Sequence, residues 1–286
     1  LIEECRHFDN DVQNPDINSC NFRFTVANDS TIRYGLGAIK GVGESVLAVL
    51  TDQREETGPS KDLFDLCCRN DNKKINKRVL ESLVKAGACD SFGGGRRGLT
   101  SIVSRAVQVA EQQAKAAAVG QEDMFGISSG ETENSTVTLE EWSKAVETPE
   151  WPDKDLLTRE KEPLGLYLSG HPIDRYDKEL AGLSNIRLKD LKPGKRRVVG
   201  LVVSVRMGKG RRGQMAIVTL DDKTARAEAT IFSDVLQDCV DRLSPDSVCV
   251  IEGKCQLDDF SGEHSIQAER VLGLDEARNQ YAENLL

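Results

Sequence analysis

The sequence has no long hydrophobic segment. No apolar run among its 286 residues approaches the roughly 18 that would suggest a membrane span, so we expect no membrane role. Leu1 to Asp11 also lack an initiator Met, a basic start and an apolar core, and therefore do not look like a signal peptide. We expect the sequence to begin within a longer protein.

The usual signs of a metal site or a catalytic centre are also missing. The eight cysteines include no C-x-x-C pair, which argues against a zinc site and a disulfide framework and favours buried free thiols. The three histidines have no cysteine or serine partner spaced for nucleophilic attack, and no two-metal carboxylate cluster is recognisable. We therefore predict no catalytic residue, no metal ligand and no cofactor in this chain.

An excess of positive charge is absent as well. The net charge is −9, whereas a protein that coats DNA uniformly needs positive surface to match the phosphates. Any contact with DNA must therefore be local.

The first half of the chain divides by composition and periodicity. Residues 1–33 are mixed, and the apolar spacing from Tyr34 to about Ala118 is helical, which predicts a small all-helical module. Residues 126–140 are rich in Ser, Thr, Glu and Gly and predict a flexible linker. Residues 141–182, interrupted by Pro163 and Pro172, are interpreted as a connector.

Residues 183–273 predict a small barrel, because the period shifts towards two and β-branched residues become frequent. We predict strands at 198–205, 215–220 and 225–232, a helix at 235–243, and strands at 247–255 and 265–271. Three strands, a helix and two strands are the order of an OB-fold. The predicted fold class is therefore multidomain α+β, with an all-α module, an all-β OB-fold barrel and the start of a C-terminal tail at 274–286.

Two short segments of the helical module are candidate hairpins for DNA. Gly41 and Gly43 permit a tight turn that exposes backbone N–H groups at a helix N-terminus, where a phosphate is favoured. The full segment predicts a helix-hairpin-helix grip on duplex DNA through Gly37, Lys40, Gly41, Val42 and Gly43. A second pair of helices is predicted around Lys85 and Gly87, with only one of the two expected glycines. For the first hairpin the alternative is an ordinary helix-helix turn. For the second, the alternative is that the nearby basic residues Lys73, Lys74, Lys77 and Arg78 form a solvated helix face.

The segment after the long predicted helix offers anchors for a protein partner. Gln121 supplies an amide, and Met124 and Phe125 supply two adjacent apolar side chains. Asp123 lies between Gln121 and this apolar pair and is included in the predicted site. Exposed anchors of this kind are costly unless a partner covers them. The segment resembles the pentapeptide by which bacterial replication proteins dock on the ring-shaped sliding clamp; the alternative is that Met124 and Phe125 belong to a core.

The third candidate is the glycine-rich segment 206–213, predicted to be the loop between the first two barrel strands. An OB-fold commonly holds single strands with this loop. It is not a Walker A loop, because Val203 and Gly210 stand where that spacing needs Gly and Ser or Thr. The alternative is a solvated loop. The predicted single-strand-binding residues are Arg196, Arg197, Arg206, Lys209, Arg211, Arg212 and Phe260.

A series of stretches running through the whole chain resembles the bacterial C-family replicative polymerases, the alpha subunits of DNA polymerase III. The stretches are Pro15 to Asn18, Asn21 to Phe24, Tyr34 to Gly43, Lys74 to Leu80, Gln121 to Phe125 and Leu164 to Pro172. The resemblance implies that residues 1–33 are the tail of the fingers domain and that 34–125 form a tandem helix-hairpin-helix and clamp-binding domain. It also implies an OB-fold near the single-stranded template.

The resemblance carries expectations about the parent protein too. It would be a cytoplasmic bacterial enzyme that adds deoxynucleotides with two magnesium ions held by palm aspartates, and that palm should precede Leu1. The domain that binds the clamp-loader tau subunit should lie mostly beyond Leu286. Two alternatives stay open: a free-standing DNA-binding adaptor, and an error-prone paralogue from the same polymerase family.

Overall fold

The fold is taken from a computed structural model, which describes residues 10–70, 75–118, 139–210, 213–257 and 262–281. The chain forms two compact units, residues 1–170 and residues 171–286, and each is described by itself. Among the described residues, no helix has both the length and the apolar character that a membrane crossing needs.

The first unit combines a small sheet with a set of helices. The sheet has the order β1-β3-β2, with β1 at Asp11–Gln13, β2 at Thr25–Asn28 and β3 at Thr31–Arg33. Residues 139–147 are also helical. The labelled helices are α1 (Glu44–Thr57), α2 (Leu63–Arg69), α3 (Lys77–Lys85), α4 (Arg96–Ala118) and α5 (Asp153–Leu164).

Capping side chains explain where two of these helices begin. Asp62 accepts a hydrogen bond from the Asp65 N–H at 2.8 Å, and α2 begins directly after it. Asn76 does the same for α3 through the Val79 N–H at 3.1 Å. The helical module predicted from Tyr34 to about Ala118 is confirmed, with helices starting at Glu44, Leu63, Lys77 and Arg96.

One hydrophobic core runs through the first unit. It contains Ile17 and Cys20 together with Leu47, Leu80 and Leu164, so residues on both sides of position 33 share it. The rings of Phe24 and Tyr34, whose centroids are 4.9 Å apart, pack across the same position. The core is therefore continuous across the domain boundary that was predicted between residues 33 and 34.

The second unit is built on a closed barrel of five strands. Its elements are α6 (Asp177–Leu183), β4 (Gly194–Gly210), β5 (Gly213–Asp221), β6 (Arg226–Phe232), α7 (Ser233–Cys239), β7 (Val248–Leu257), β8 (His264–Gly273) and α8 (Leu274–Gln280). The strand order is β4-β5-β6-β8-β7, in which β6 and β8 are parallel neighbours, as Ala229 opposite Ile266 shows. Three strands, a helix and two strands are the topology of an OB-fold, which confirms the predicted fold class.

Side-chain alternation in β6 follows the prediction. Ala227, Ala229 and Ile231 are buried in the barrel, whereas Arg226 and Glu228 are exposed. The outer face of β6 is therefore polar at Arg226 and Glu228.

The predicted loop at 206–213 is wrong for residues 206–210 and for Gly213, which are strand residues. Strand β4 continues to Gly210 and β5 begins at Gly213, so the two strands form a long hairpin ribbon with a very short connection. Backbone pairing extends along it, with Arg206 opposite Ile217 and Gly210 opposite Gly213. Glycine and basic side chains on a solvated ribbon do not prevent this pairing, because the ladder uses backbone groups alone.

The described cysteines are free thiols, and most are buried, as predicted. Burial is the main cause that raises the pKa of Cys67 to about 12, and the neighbouring Cys68 and Asp62 add to it. Burial likewise raises the pKa of Cys249 to about 12. Thiols held in this way are poor nucleophiles.

Candidate nucleic-acid interfaces

The first predicted hairpin is a tight turn at the start of α1. Gly41 has φ +87°, a left-handed conformation that glycine adopts without strain, and it lies against α3 near the Ser82 hydroxyl. Val42 is buried beneath the turn, and its N–H donates to the Ile39 carbonyl at 3.2 Å. The turn therefore has a buried base and an exposed rim of glycines.

Gly43 occupies a position that the fold itself does not reserve for glycine. It is the N-cap of α1 with φ −86° and ψ 157°, a conformation open to most residues. A Cβ built there meets no described atom within 4 Å, and no side chain caps the helix. No described group accepts a hydrogen bond from the N–H groups of Glu44 and Ser45 at the start of α1, so a ligand can reach them.

The neighbouring residues differ in exposure. Lys40 is exposed, while its backbone N–H donates to the Pro163 carbonyl at 2.9 Å and fixes the hairpin to the end of α5. Gly37 lies beneath Phe22, and a Cβ there would be 2.5 Å from the ring. Packing explains this glycine, so Gly37 is not part of the exposed rim.

The second predicted hairpin is occupied by groups of the chain itself. Gly87 has φ +85°, and a Cβ there would be 2.3 Å from the Arg96 guanidinium. The Arg96 side chain is buried and pairs with Asp90 at 2.8 Å and with Glu160 at 3.3 Å. Gly87 therefore makes room for a buried ion pair, which is a packing role that the sequence did not reveal.

The N-terminus of α4, which follows this second hairpin, already holds an anion. The Glu150 carboxylate accepts from the Arg96 N–H at 2.5 Å and from the Arg97 N–H at 3.0 Å. An internal carboxylate thus takes the place that a phosphate would occupy at an open helix N-terminus. Only the first of the two hairpins presents an uncapped helix.

The structure does bring Lys85 close to the first hairpin. Both line one cleft of about 430 Å³, which we call the hairpin cleft. Arg78 and Lys85 lie on the same face of α3, at the i and i+7 positions, and this spacing is the sequence signal that could have found the cleft. The residues that line it are Lys40, Gly41, Arg78, Glu81, Ser82, Lys85, Glu162 and Pro163.

In the second unit, the β4–β5 ribbon carries its basic residues on both faces. Arg206 and Lys209 are both exposed, and because they are an odd number of residues apart in one strand they point to opposite faces. Arg206 pairs with the Glu228 carboxylate on β6. Only Lys209 has no ion pair on the described part of the ribbon.

The outer face of β5 and β6 lies beside this ribbon. Met215 is opposite Phe232, and Ile217 is opposite Thr230, so half-buried apolar side chains alternate with polar ones across the strands. Such a face offers surfaces on which bases can stack. The sequence reading missed Met215 and Ile217, although their alternation with the buried Ala216 and Val218 was a usable signal.

Comparison with known proteins places the chain in a family. Residues 10–99 match the helix-hairpin-helix motif family, and residues 197–272 match the OB-fold nucleic acid binding domain family. The whole chain is 43% identical to DNA polymerase III subunit alpha of Pasteurella multocida, 42% to that of Escherichia coli K12 and 41% to that of Vibrio cholerae. The chain belongs to the DNA polymerase III alpha subunit family. It spans about a quarter of the length of these relatives, 24% to 25%.

The two domain matches include both candidate interfaces of this alpha-subunit segment and support binding of DNA. Among solved structures, the second OB-fold domain of replication protein A from Methanococcus maripaludis matches 32% of the chain and 94% of its own, at 14% identity and a TM-score of 0.27. That likeness is too low to carry a functional argument.

Two of the arginines predicted to bind single strands serve the fold of the alpha-subunit segment. The Arg196 guanidinium donates to the carbonyls of Lys192, Pro193 and Lys195 at 3.0 to 3.1 Å. Arg197 stacks on the Tyr281 ring at 4.0 Å. Both stand near the start of β4, up to about 30 Å along the strand from Arg206 at 3.3 Å per residue.

Arg226, on the outer face of β6, is paired with an acidic residue of the chain. Its guanidinium is 3.0 Å from Asp221, which lies 3.5 Å from His171. Burial would raise the pKa of Asp221, but hydrogen bonds from His171, the Lys223 N–H and Arg226 outweigh it and lower the pKa to about 2. The carboxylate is therefore charged at neutral pH.

Several predicted site residues lie outside the described part of the alpha-subunit segment. They are Gln121, Asp123, Met124, Phe125, Arg211, Arg212 and Phe260. Within the described ranges, no group of three or more His, Cys, Asp or Glu side chains is arranged to hold a metal ion.

Proposed function

We propose that this chain is the DNA-gripping and clamp-tethering part of a DNA polymerase III alpha subunit. In this proposal the first hairpin holds duplex DNA, the OB-fold holds single-stranded template, and Gln121 to Phe125 dock on the sliding clamp. Whole-chain similarity to alpha subunits favours this over a free-standing adaptor.

The parent protein, by this proposal, is a cytoplasmic DNA-directed DNA polymerase that uses magnesium ions. We assign no catalytic role to any residue of this chain, and we place nucleotide addition in the part of the relatives that the chain does not span. The tau subunit of the clamp loader is proposed as a further partner of the parent protein.

The open N-terminus of α1 is the observation that carries the duplex assignment. Gly43 has neither a strained conformation nor a neighbour that excludes a side chain, and without a side chain of its own it leaves the approach to the start of α1 unobstructed. A phosphate needs such an approach to reach backbone N–H groups. Lys40 adds a positive charge beside the turn.

Replacing Gly43 with Asp should weaken duplex binding about tenfold at 0.1 M salt while leaving the fold intact. The new carboxylate would cap α1, a favourable role for Asp, and would repel a phosphate at the same point. A tenfold change corresponds to about 1.4 kcal/mol, the size of one good charged contact. Fluorescence anisotropy with a labelled duplex measures the affinity, and thermal unfolding measures the stability.

Gly43→Asn is the matched control, because it has the same shape and capping ability without the charge. It should weaken binding less than Gly43→Asp, by crowding alone. Equal duplex affinity for Gly43→Asp and the unchanged chain would contradict the hairpin grip.

The single-strand assignment is supported by the ribbon and by the outer face of the barrel. Lys209 projects from the ribbon without an ion pair among the described residues, and Arg211 and Arg212 follow it directly in sequence. The half-buried Met215, Ile217 and Phe232 provide surfaces for stacking. With few aromatic rings, the binding is expected to be weak and tolerant of sequence.

Reversing the charge of Lys209, Arg211 and Arg212 to Glu should lower single-strand affinity and flatten its salt dependence. If all three contact phosphates, the slope of log K against log salt should fall by about two, at about 0.7 per contact. The matched control reverses three exposed lysines away from the ribbon, Lys178, Lys189 and Lys192. Equal losses in the two triple variants would show that the ribbon makes no specific contribution.

A further inference from the structure

One of the basic residues in the hairpin cleft is neutralised within the chain. Lys85 Nζ lies 2.7 Å from Glu162 Oε2, and the two residues come from α3 and α5. Lys40 and Arg78, the other basic residues that line the cleft, form no ion pair with another described residue. The carboxylate therefore sits on the face where the proposed duplex would place phosphates.

The backbone of Glu162 is held in place from two sides. The next residue, Pro163, accepts the Lys40 N–H through its carbonyl at 2.9 Å and so joins α5 to the hairpin. Two residues earlier, Glu160 is buried and paired with Arg96. The Glu162 side chain itself is 55% exposed and can rotate away from Lys85. The carboxylate is thus fixed near the cleft but not locked to its partner.

We infer that Glu162 competes with DNA phosphate for Lys85 and thereby limits the affinity of the hairpin cleft for duplex DNA. This inference rests on the proposed duplex grip. An exposed ion pair contributes only about 0–1 kcal/mol, so a phosphate can replace the carboxylate.

This arrangement makes Glu162 an affinity-setting residue that need not touch DNA. A grip built only of lysines and arginines gains one released counterion for each phosphate it neutralises. At Lys85, a phosphate replaces a carboxylate of the chain, so most of the free energy gained from counterion release is lost. The result is a modest affinity for the duplex.

The test measures duplex binding by the whole 286-residue chain over a range of salt concentrations. Glu162→Gln should bind a short labelled duplex about eightfold more tightly at 0.1 M salt, with a log–log salt slope steeper by about 0.9, as expected for one more phosphate contact. Glu111→Gln, an exposed residue on α4, makes the same change in net charge away from the cleft. Its effect should stay below about twofold because salt screens distant charges.

A double-mutant cycle with Lys85→Gln identifies the mechanism. In the Lys85→Gln background, adding Glu162→Gln should change binding no more than Glu111→Gln does. If Glu162→Gln still increased duplex affinity about eightfold in that background, the inference would be overturned, since Glu162 would then act without Lys85. Glu162→Ser is measured alongside, so that a folding defect in one variant does not decide the result.

The two proposals fail in different ways. If Gly43→Asp weakens binding but Glu162→Gln behaves like Glu111→Gln, the competition is wrong and the hairpin grip stands. If Gly43→Asp binds like the unchanged chain, the hairpin grip is wrong, whatever Glu162→Gln does.

Discussion

Replacing Glu160 with Ala should lower the free energy of unfolding of the first unit by about 3–5 kcal/mol. Glu160 is only 1% exposed, and its carboxylate accepts from the N–H groups of Leu168 at 2.7 Å and Ser169 at 2.8 Å. It also accepts from the Ser169 hydroxyl and pairs with Arg96 at 3.3 Å. Removing it leaves a buried guanidinium and two N–H groups without that partner.

Urea unfolding followed by tryptophan fluorescence measures this loss. Both tryptophans, Trp142 and Trp151, belong to the first unit, so the signal reports that unit rather than the barrel. The double variant Arg96→Met/Glu160→Met removes both charges and should cost less than Glu160→Ala alone, because the buried guanidinium is removed together with its buried partner.

A partly exposed ion pair in the same unit provides the matched control. Arg105 and Glu141 are 3.2 Å apart, with side chains 28% and 31% exposed. Glu141→Ala should therefore cost less than about 1 kcal/mol. Equal effects of Glu141→Ala and Glu160→Ala would show that the buried network does not stabilise the unit.

Changing Gln121, Met124 and Phe125 together to Ala should lower the affinity for the sliding clamp by at least about a hundredfold. Interface anchors of this kind often contribute 2 kcal/mol or more each, and the Gln amide adds hydrogen bonds. Isothermal titration calorimetry with the purified clamp measures the loss. Duplex affinity, measured in parallel, should not change.

Glu122→Ala is the control within the same segment, because this residue is not among the predicted anchors. It should retain nearly full clamp affinity. Unchanged clamp binding by the triple variant would contradict the proposed tether, and the duplex and single-strand assignments would be unaffected.

Local backbone requirements made the hairpin and the barrel strands predictable. Gly41 needs a left-handed conformation, and a pair of glycines before a helical run predicts a turn of this kind. In β6, the alternation of Ala227 and Ala229 with Arg226 and Glu228 shows one buried and one exposed face. Each pattern lies within a few residues of sequence.

Partners that come from distant parts of the chain were not predictable. The Lys85–Glu162 pair and the Glu150 cap of α4 join residues that lie far apart in sequence. Arg196 and Arg197 look like free cations in sequence, but carbonyl groups and Tyr281 hold them in the structure. The number of basic residues in a sequence does not show which of them are held by other groups of the folded chain.

The ribbon at β4 and β5 was missed for a different physical reason. Gly208 and Gly210 are typical of loops, yet the ladder between the strands includes both. Pairing depends on backbone groups that every non-proline residue supplies, so side-chain composition is a weak guide to where a hairpin turns.

The hydrogen bond from the Lys40 N–H to the Pro163 carbonyl has a consequence for synthesis on the ribosome. A ribosome adds about 5–20 residues per second, so several seconds or more pass between synthesis of the glycine turn and synthesis of α5, the helix that anchors it. Until then the nascent segment lacks the support that orients Lys40. Its ability to hold nucleic acid should therefore mature late in translation, after α5 has left the exit tunnel.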